Sequence, residues 1–90
     1  MVLHVTSDAS ALVRQHQAQL GDSYVAAIVW AEDEAGIGAW ELGFHVREIV
    51  PTDWIESLDH GIELVVEPHW REQLDGKTLD SRNGYLVVRD

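Results

Sequence analysis

Between residues 23 and 31, SYVAAIVWA, apolar side chains fill both parities of an alternating pattern. Tyr24, Ala26, Ile28 and Trp30 take one side, and Val25, Ala27 and Val29 the other. Such a run predicts a strand covered on both faces. The next stretch, AWELGFHVREIV (39–50), alternates instead: Trp40, Leu42, Phe44, Val46 and Glu48 share one side, while Glu41, Gly43, His45 and Arg47 share the other. That is the signature of a half-buried strand. Joined through EDEAGIG, the two stretches read as a hairpin.

Ahead of them, TSDASALVRQHQAQLG changes to a period near 3.6, with Ala9, Leu12, Val13 and Leu20 apolar. Thr6, Ser7 or Asp8 can cap this helix by accepting from the free amides of its first turn, and Gly21 supplies a stop. VLHV before it predicts a short strand, and His16 falls toward the polar side. Beyond residue 50, WIESL (54–58) is a weaker strand and Ile62–Val66 a further one. Pro68 opens a helical turn, PHWREQL, that Asp75-Gly76 ends. KTLDS and YLVVRD form closing strands joined by Asn83-Gly84, a type I′ signal. The pattern predicts a mainly β (α+β) fold with an N-terminal helix in a single domain, residues 1–90.

Composition narrows what such a domain can do. Ninety residues allow one thin core, and Trp30, Trp40, Trp54 and Trp70 are expected to place two or three rings in it. There is no cysteine, so disulfides, thiolate catalysis and cysteine-held metals are excluded. Sixteen acidic residues against six basic ones give a net charge of −10. Scattered cations on so acidic a chain make no face for phosphates, so neither nucleic acid nor an anionic membrane surface is an expected partner. No apolar stretch approaches 18 residues, and the first residues carry no signal pattern, which reads as a soluble cytoplasmic protein.

Catalytic chemistry is not written in the chain. No serine stands in a nucleophile-elbow context, and no cofactor is expected. Gly36-Ile37-Gly38 lacks the following helix and Lys-Ser/Thr of a phosphate loop, and Glu32, Asp33 and Glu34 upstream repel anions. Among five histidines, no local spacing aims several ligands at one point, and Pro68 turns the chain between Glu67 and His69.

The order of segments resembles the HesB-like domain of the A-type iron–sulfur carriers. The most specific stretch runs from Gly61 to Asp80: a Gly, a strand of Val-Val-Val-Asp type (here Leu64-Val65-Val66-Glu67), a short helix, Leu74-Asp75-Gly76, then Leu79-Asp80. Glu41-Leu42-Gly43-Phe44 matches the strand after the family's first cysteine loop. The resemblance implies a pseudo-barrel of short strands capped by the N-terminal helix, with Trp30, Phe44, Val46, Leu64 and Val66 mainly in the core. It also implies three cysteine ligands, of which the first aligns near Ala35, while the tail pair has no counterpart in these residues. Without thiolates the family's cluster chemistry does not carry over to this chain.

EDEAGIG then reads as a ligand loop that has lost its ligand, with Ala35, Gly36 and Gly38 keeping its bend. The expected function is that of a non-catalytic HesB-like domain working through protein contact, with an unidentified protein or a second copy as partner. Trp40 and Trp70 are its candidate interface anchors. The alternative is weak binding of iron or another divalent metal, in iron–sulfur assembly, by His45, His69, Glu32, Asp33 and Glu34.

Overall fold

Seven strands sort into two sheets around one helix. The computed structural model describes residues 1–90. In chain order the elements are β1 (His4–Val5), α1 (Ser7–Leu20), β2 (Tyr24–Glu32), β3 (Gly38–Val46), β4 (Ile55–Ser57), β5 (Glu63–Val65), α2 (Arg71–Leu74), β6 (Thr78–Arg82) and β7 (Tyr85–Arg89). Four single 3-10 turns interrupt them, at Arg47–Ile49, Thr52–Trp54, Asp59–Gly61 and Pro68–Trp70. The larger sheet has the order β3-β2-β5-β4 and the smaller β1-β6-β7. The fold is mainly β, of α+β class.

The two apolar parities of β2 do what their pattern demands. Ala26 and Ile28 point into the main core with Leu64 and Val66, under Ala9, Leu12 and Val13 of α1 and against Leu79 and Leu86 of the smaller sheet. Val25 and Ala27 point the other way, with Val65, and are covered by Val50, Trp54 and Ile55. The irregular segment 47–55 therefore roofs the back of the sheet. Each large side chain buried this completely stabilises the fold by roughly 1.5–3 kcal/mol.

Helix α1 starts where its cap requires. The Thr6 hydroxyl accepts from the Ala9 amide (3.2 Å), and the Gly21 amide closes the last turn on Gln17. At the other end of the chain, Asn83 and Gly84 both take positive φ (55° and 81°), as a type I′ turn between β6 and β7 requires.

Turn residues at the end of the 61–80 stretch act as fasteners for the N-terminal strand. Asp75 Oδ1 accepts from the Val2 amide (2.6 Å), and the Gly76 amide donates to Val2 C=O (2.6 Å). Strand β1 then runs parallel to β6, Val5 beside Leu79. Asp80 finishes the join: its carboxylate accepts from the Thr6 hydroxyl (2.8 Å), the Ser81 amide (2.8 Å) and Arg89 Nε (3.1 Å).

Several expected boundaries and burials change. The strand anticipated over 39–50 ends at Val46, where Arg47 begins a 3-10 turn, so Glu48 does not share its face. Strand β5 is shorter than 62–66, although Ile62 and Val66 flanking it are buried. Leu64 and Val66 lie in the core as expected; Phe44 is only half-buried, and Trp30 and Val46 are exposed. No tryptophan is fully buried. Trp40 and Trp70 pack on the edge of the main core and Trp54 on the back cluster. The reason is volume: Ala26, Ala27 and β-branched or Leu side chains already fill the narrow space between the layers, leaving indole rings to its margin.

The Ser81 amide, the Thr6 hydroxyl and Arg89 together hold the Asp80 carboxyl below the usual carboxylate range. A group that binds its proton less tightly when folded stabilises the fold above its unfolded value, about pH 4, and loses that contribution as pH falls through the folded value. Asp80→Asn is accordingly expected to lower the urea midpoint at pH 7 and to flatten its decline below about pH 4. An acid limb identical to that of the parent would contradict this role.

Candidate functional site

The hairpin loop 33–37 is held by Asp33. Its backbone amide donates to Ile37 C=O (3.0 Å), while its Oδ1 accepts from the amides of Ala35 (2.9 Å) and Ile37 (3.0 Å). This is an Asx-type turn, and Gly36 at φ 80° provides the left-handed residue it needs. Ala35 lies exposed on its outside. Gly38 has a different reason to be glycine. It opposes Glu32 as the first residue of β3, and a Cβ there would overlap the six-membered ring of Trp30. The indole lies across the glycine, and its Nε1 donates to Glu32 (3.1 Å).

Hydrogen bonds at the two ends set the phase of the β2–β3 ladder: Asp33 N–H to Ile37 C=O, and Arg47 N–H to Ser23 C=O (2.8 Å). Stepping inward from both, Trp30 and Trp40 fall on a non-hydrogen-bonded pair, where facing side chains come closest. Their rings meet edge to face with centroids 5.0 Å apart, and Trp40 meets Trp70 in the same way at 5.2 Å. His69 leans on Trp70 at 4.4 Å. Edge-to-face pairs add roughly 0.5–1.5 kcal/mol each beyond burial. The row closes the hairpin end of the core.

Beside that row lies a groove of about 670 Å³, open to solvent along one side. Helix α1 forms one wall with Leu12, His16 and Leu20; β3 forms the floor with Trp40, Leu42 and Phe44; Gly84 of the β6–β7 turn and Tyr85 and Leu86 of β7 close it. Leu12 and Leu86 are the buried base, whereas Leu20 (44% exposed) and Tyr85 (75% exposed) stand at the lips. The polar contributions are few. His16 and Glu41 are the titratable groups besides the Tyr85 phenol, with Gln19 nearby. Such a lining can hold apolar groups; it has no nucleophile with a base aimed at it.

Of the two tryptophans marked as interface anchors, Trp40 lines the groove, and Trp70 stands behind it as a half-buried support. The histidines and carboxylates named as metal ligands are dispersed. Glu32, Asp33 and Glu34 sit at the hairpin loop, His45 faces Val25 near the far end of β3, and His69 packs on Trp70. Seven residues of extended chain, roughly 23 Å, separate His45 from Gly38 beside the loop. Nowhere does the fold gather three His, Asp or Glu side chains in metal-binding geometry.

The groove residues Leu20 and Tyr85 were not marked from sequence. Leu20 was read only as part of the helix's apolar period; His16, expected toward the polar side, instead shares a helical stripe with Ala9, Val13 and Leu20 and lines the groove. Tyr85 carried no signal, because the contact it approaches lies in another sheet.

Fold and groove together define a small α+β domain, mainly β, with an open apolar groove between its helix and two strand edges. No helix is long and apolar enough to cross a membrane. No family model matches the chain, and none of the curated proteins does.

Two measurements check this geometry. Gly38→Ala is expected to cost about 1–3 kcal/mol in urea denaturation, and much less when combined with Trp30→Val, which removes the overlapping ring. Equal losses in the single and double variants would contradict the packing of Trp30 on Gly38. Millimolar Fe(II) or Zn(II) is expected to leave the melting temperature unchanged, since a ligand that binds only the folded state raises it.

Proposed function

We propose that this chain is a non-catalytic, HesB-like protein-contact domain of the cytoplasm, and that the groove between α1, β3 and the β6–β7 turn is its contact surface. The observation that carries the reading is the pairing of an apolar floor with exposed lips. Leu20 and Tyr85 hold large side chains in water above Trp40, Leu42 and Phe44, an arrangement that lowers free energy when a partner covers it.

The residues behind the family resemblance have structural employment, which supports kinship in shape without ligation. Leu64, Val66, Leu74 and Leu79 are core, Asp75 and Gly76 hold β1, and Asp80 joins the helix cap to β7. None of these roles needs a metal. The position matching the family's first cysteine, Ala35, is the outside of a turn that Asp33 already secures.

A photoreactive residue placed at Tyr85 is expected to crosslink in cells to one discrete protein. The same residue at Ile49, equally exposed but outside the groove, is expected to give no such product. Leu20→Glu is expected to abolish the Tyr85 product while leaving the melting temperature within a few degrees. Absence of a product from Tyr85, or identical products from both positions, would overturn the reading.

A further inference from the structure

The charges around the groove narrow the kind of partner that fits it. None of the residues that line it is a Lys or Arg. Glu41 lines it from the parity of β3 that alternates with Trp40, Leu42 and Phe44, and Glu32, Asp33 and Glu34 follow one another at the hairpin end; none of the four takes part in an ion pair, although Asp33 accepts from two loop amides and Glu32 from Trp30 Nε1–H. The C-terminal end of α1, which brings the negative pole of the helix dipole, forms another part of the wall, and its last turn holds no basic residue.

Five of the chain's six Lys and Arg side chains are committed elsewhere. Arg47 pairs with Glu63 (3.2 Å), Arg71 with Glu56 (3.0 Å), Arg89 with Asp80 (3.1 Å) and Lys77 with Asp90, while Arg14 donates to His60 C=O. Arg82 has no ion pair and stands opposite Tyr85 in the β6–β7 ladder, so the turn side of the groove carries one positive charge and the carboxylates lie at its hairpin end. A second copy would bring the same few cations and double a net charge of −10, so self-association at this face works against like charges.

From these observations we infer that the groove receives a polypeptide segment with apolar anchor side chains flanked by lysine or arginine. The anchors enter over Leu42 and Phe44 between Leu20 and Tyr85, and the basic flanks meet Glu41, the 32–34 loop and the end of α1. The apolar part supplies most of the affinity. The charges select against acidic segments and speed the encounter. This inference rests on the protein-contact reading and adds the chemistry of the partner to it.

Three synthetic peptides test it against the isotopically labelled full chain: acetyl-Lys-Lys-Leu-Phe-Leu-Lys-Lys-amide, the same with Glu in place of Lys, and the same with Ser in place of the apolar triplet. The first is expected to bind with a Kd below about 1 mM, shifting the amide resonances of Leu20, Leu42, Phe44 and Tyr85. Raising salt from about 20 to 500 mM is expected to weaken it roughly tenfold, and Glu41→Gln to weaken it about threefold. The Glu peptide and the Ser peptide are expected to leave those resonances unmoved.

Equal binding of the Lys and Glu peptides would overturn the charge selection. Equal binding of the Ser peptide would reduce the contact to unspecific attraction and overturn it as well. Groove resonances that shift with protein concentration alone would identify a second copy as the occupant, against the inference. If all three peptides fail while the Tyr85 crosslink forms, the basic-segment inference falls and the protein-contact reading stands; if both fail, both fall.

Discussion

Strand β2 is apolar on both faces, and burying both at once is the constraint that the rest of the architecture answers. One face takes α1 and the smaller sheet, and the other takes the turns of 47–55. Parallel pairing with β5 at Ala27 and Val65 continues the same two-sided division, Leu64 and Val66 inward and Val65 outward. The ion pairs are secondary. They lie on partly exposed side chains, where each contributes about 0–1 kcal/mol, less than one fully buried Ile28 or Leu64.

Because the middle of β2 is filled by small and β-branched residues, the aromatic side chains are displaced toward the hairpin end and the margins. That displacement produces the site. Trp30, Trp40 and Trp70 close the end of the core in an edge-to-face row, and Trp40, Leu42 and Phe44 continue along β3 as a floor that α1 and β7 flank without covering. A thin core with large rings at its edge leaves apolar surface in water, and here that surface is concave.

The loop at the head of the hairpin is accounted for by local structure alone. Asp33 and Gly36 make the turn, and Gly38 makes room for Trp30. Each residue is explained by the turn it makes or the ring it accommodates, and Glu32 and Glu34 stand exposed beside it.

Local order was legible in the residues themselves: the helix between Thr6 and Gly21, a hairpin through EDEAGIG (though not the end of its second strand), the Asn83-Gly84 turn and the mainly β class all follow from periodicity, caps and turn chemistry, which act over a few neighbouring residues. The two-sided burial of β2 was legible for the same reason, since a strand's parity is a local property. Which rings would be buried was not: Trp30 and Val46 carry a core-like pattern and sit at the margin, because burial depends on whether another element arrives above them. The groove belongs wholly to tertiary structure. Leu20, Phe44 and Tyr85 are far apart along the chain, and only the packing of helix, hairpin and closing strands against one core brings them to a common opening.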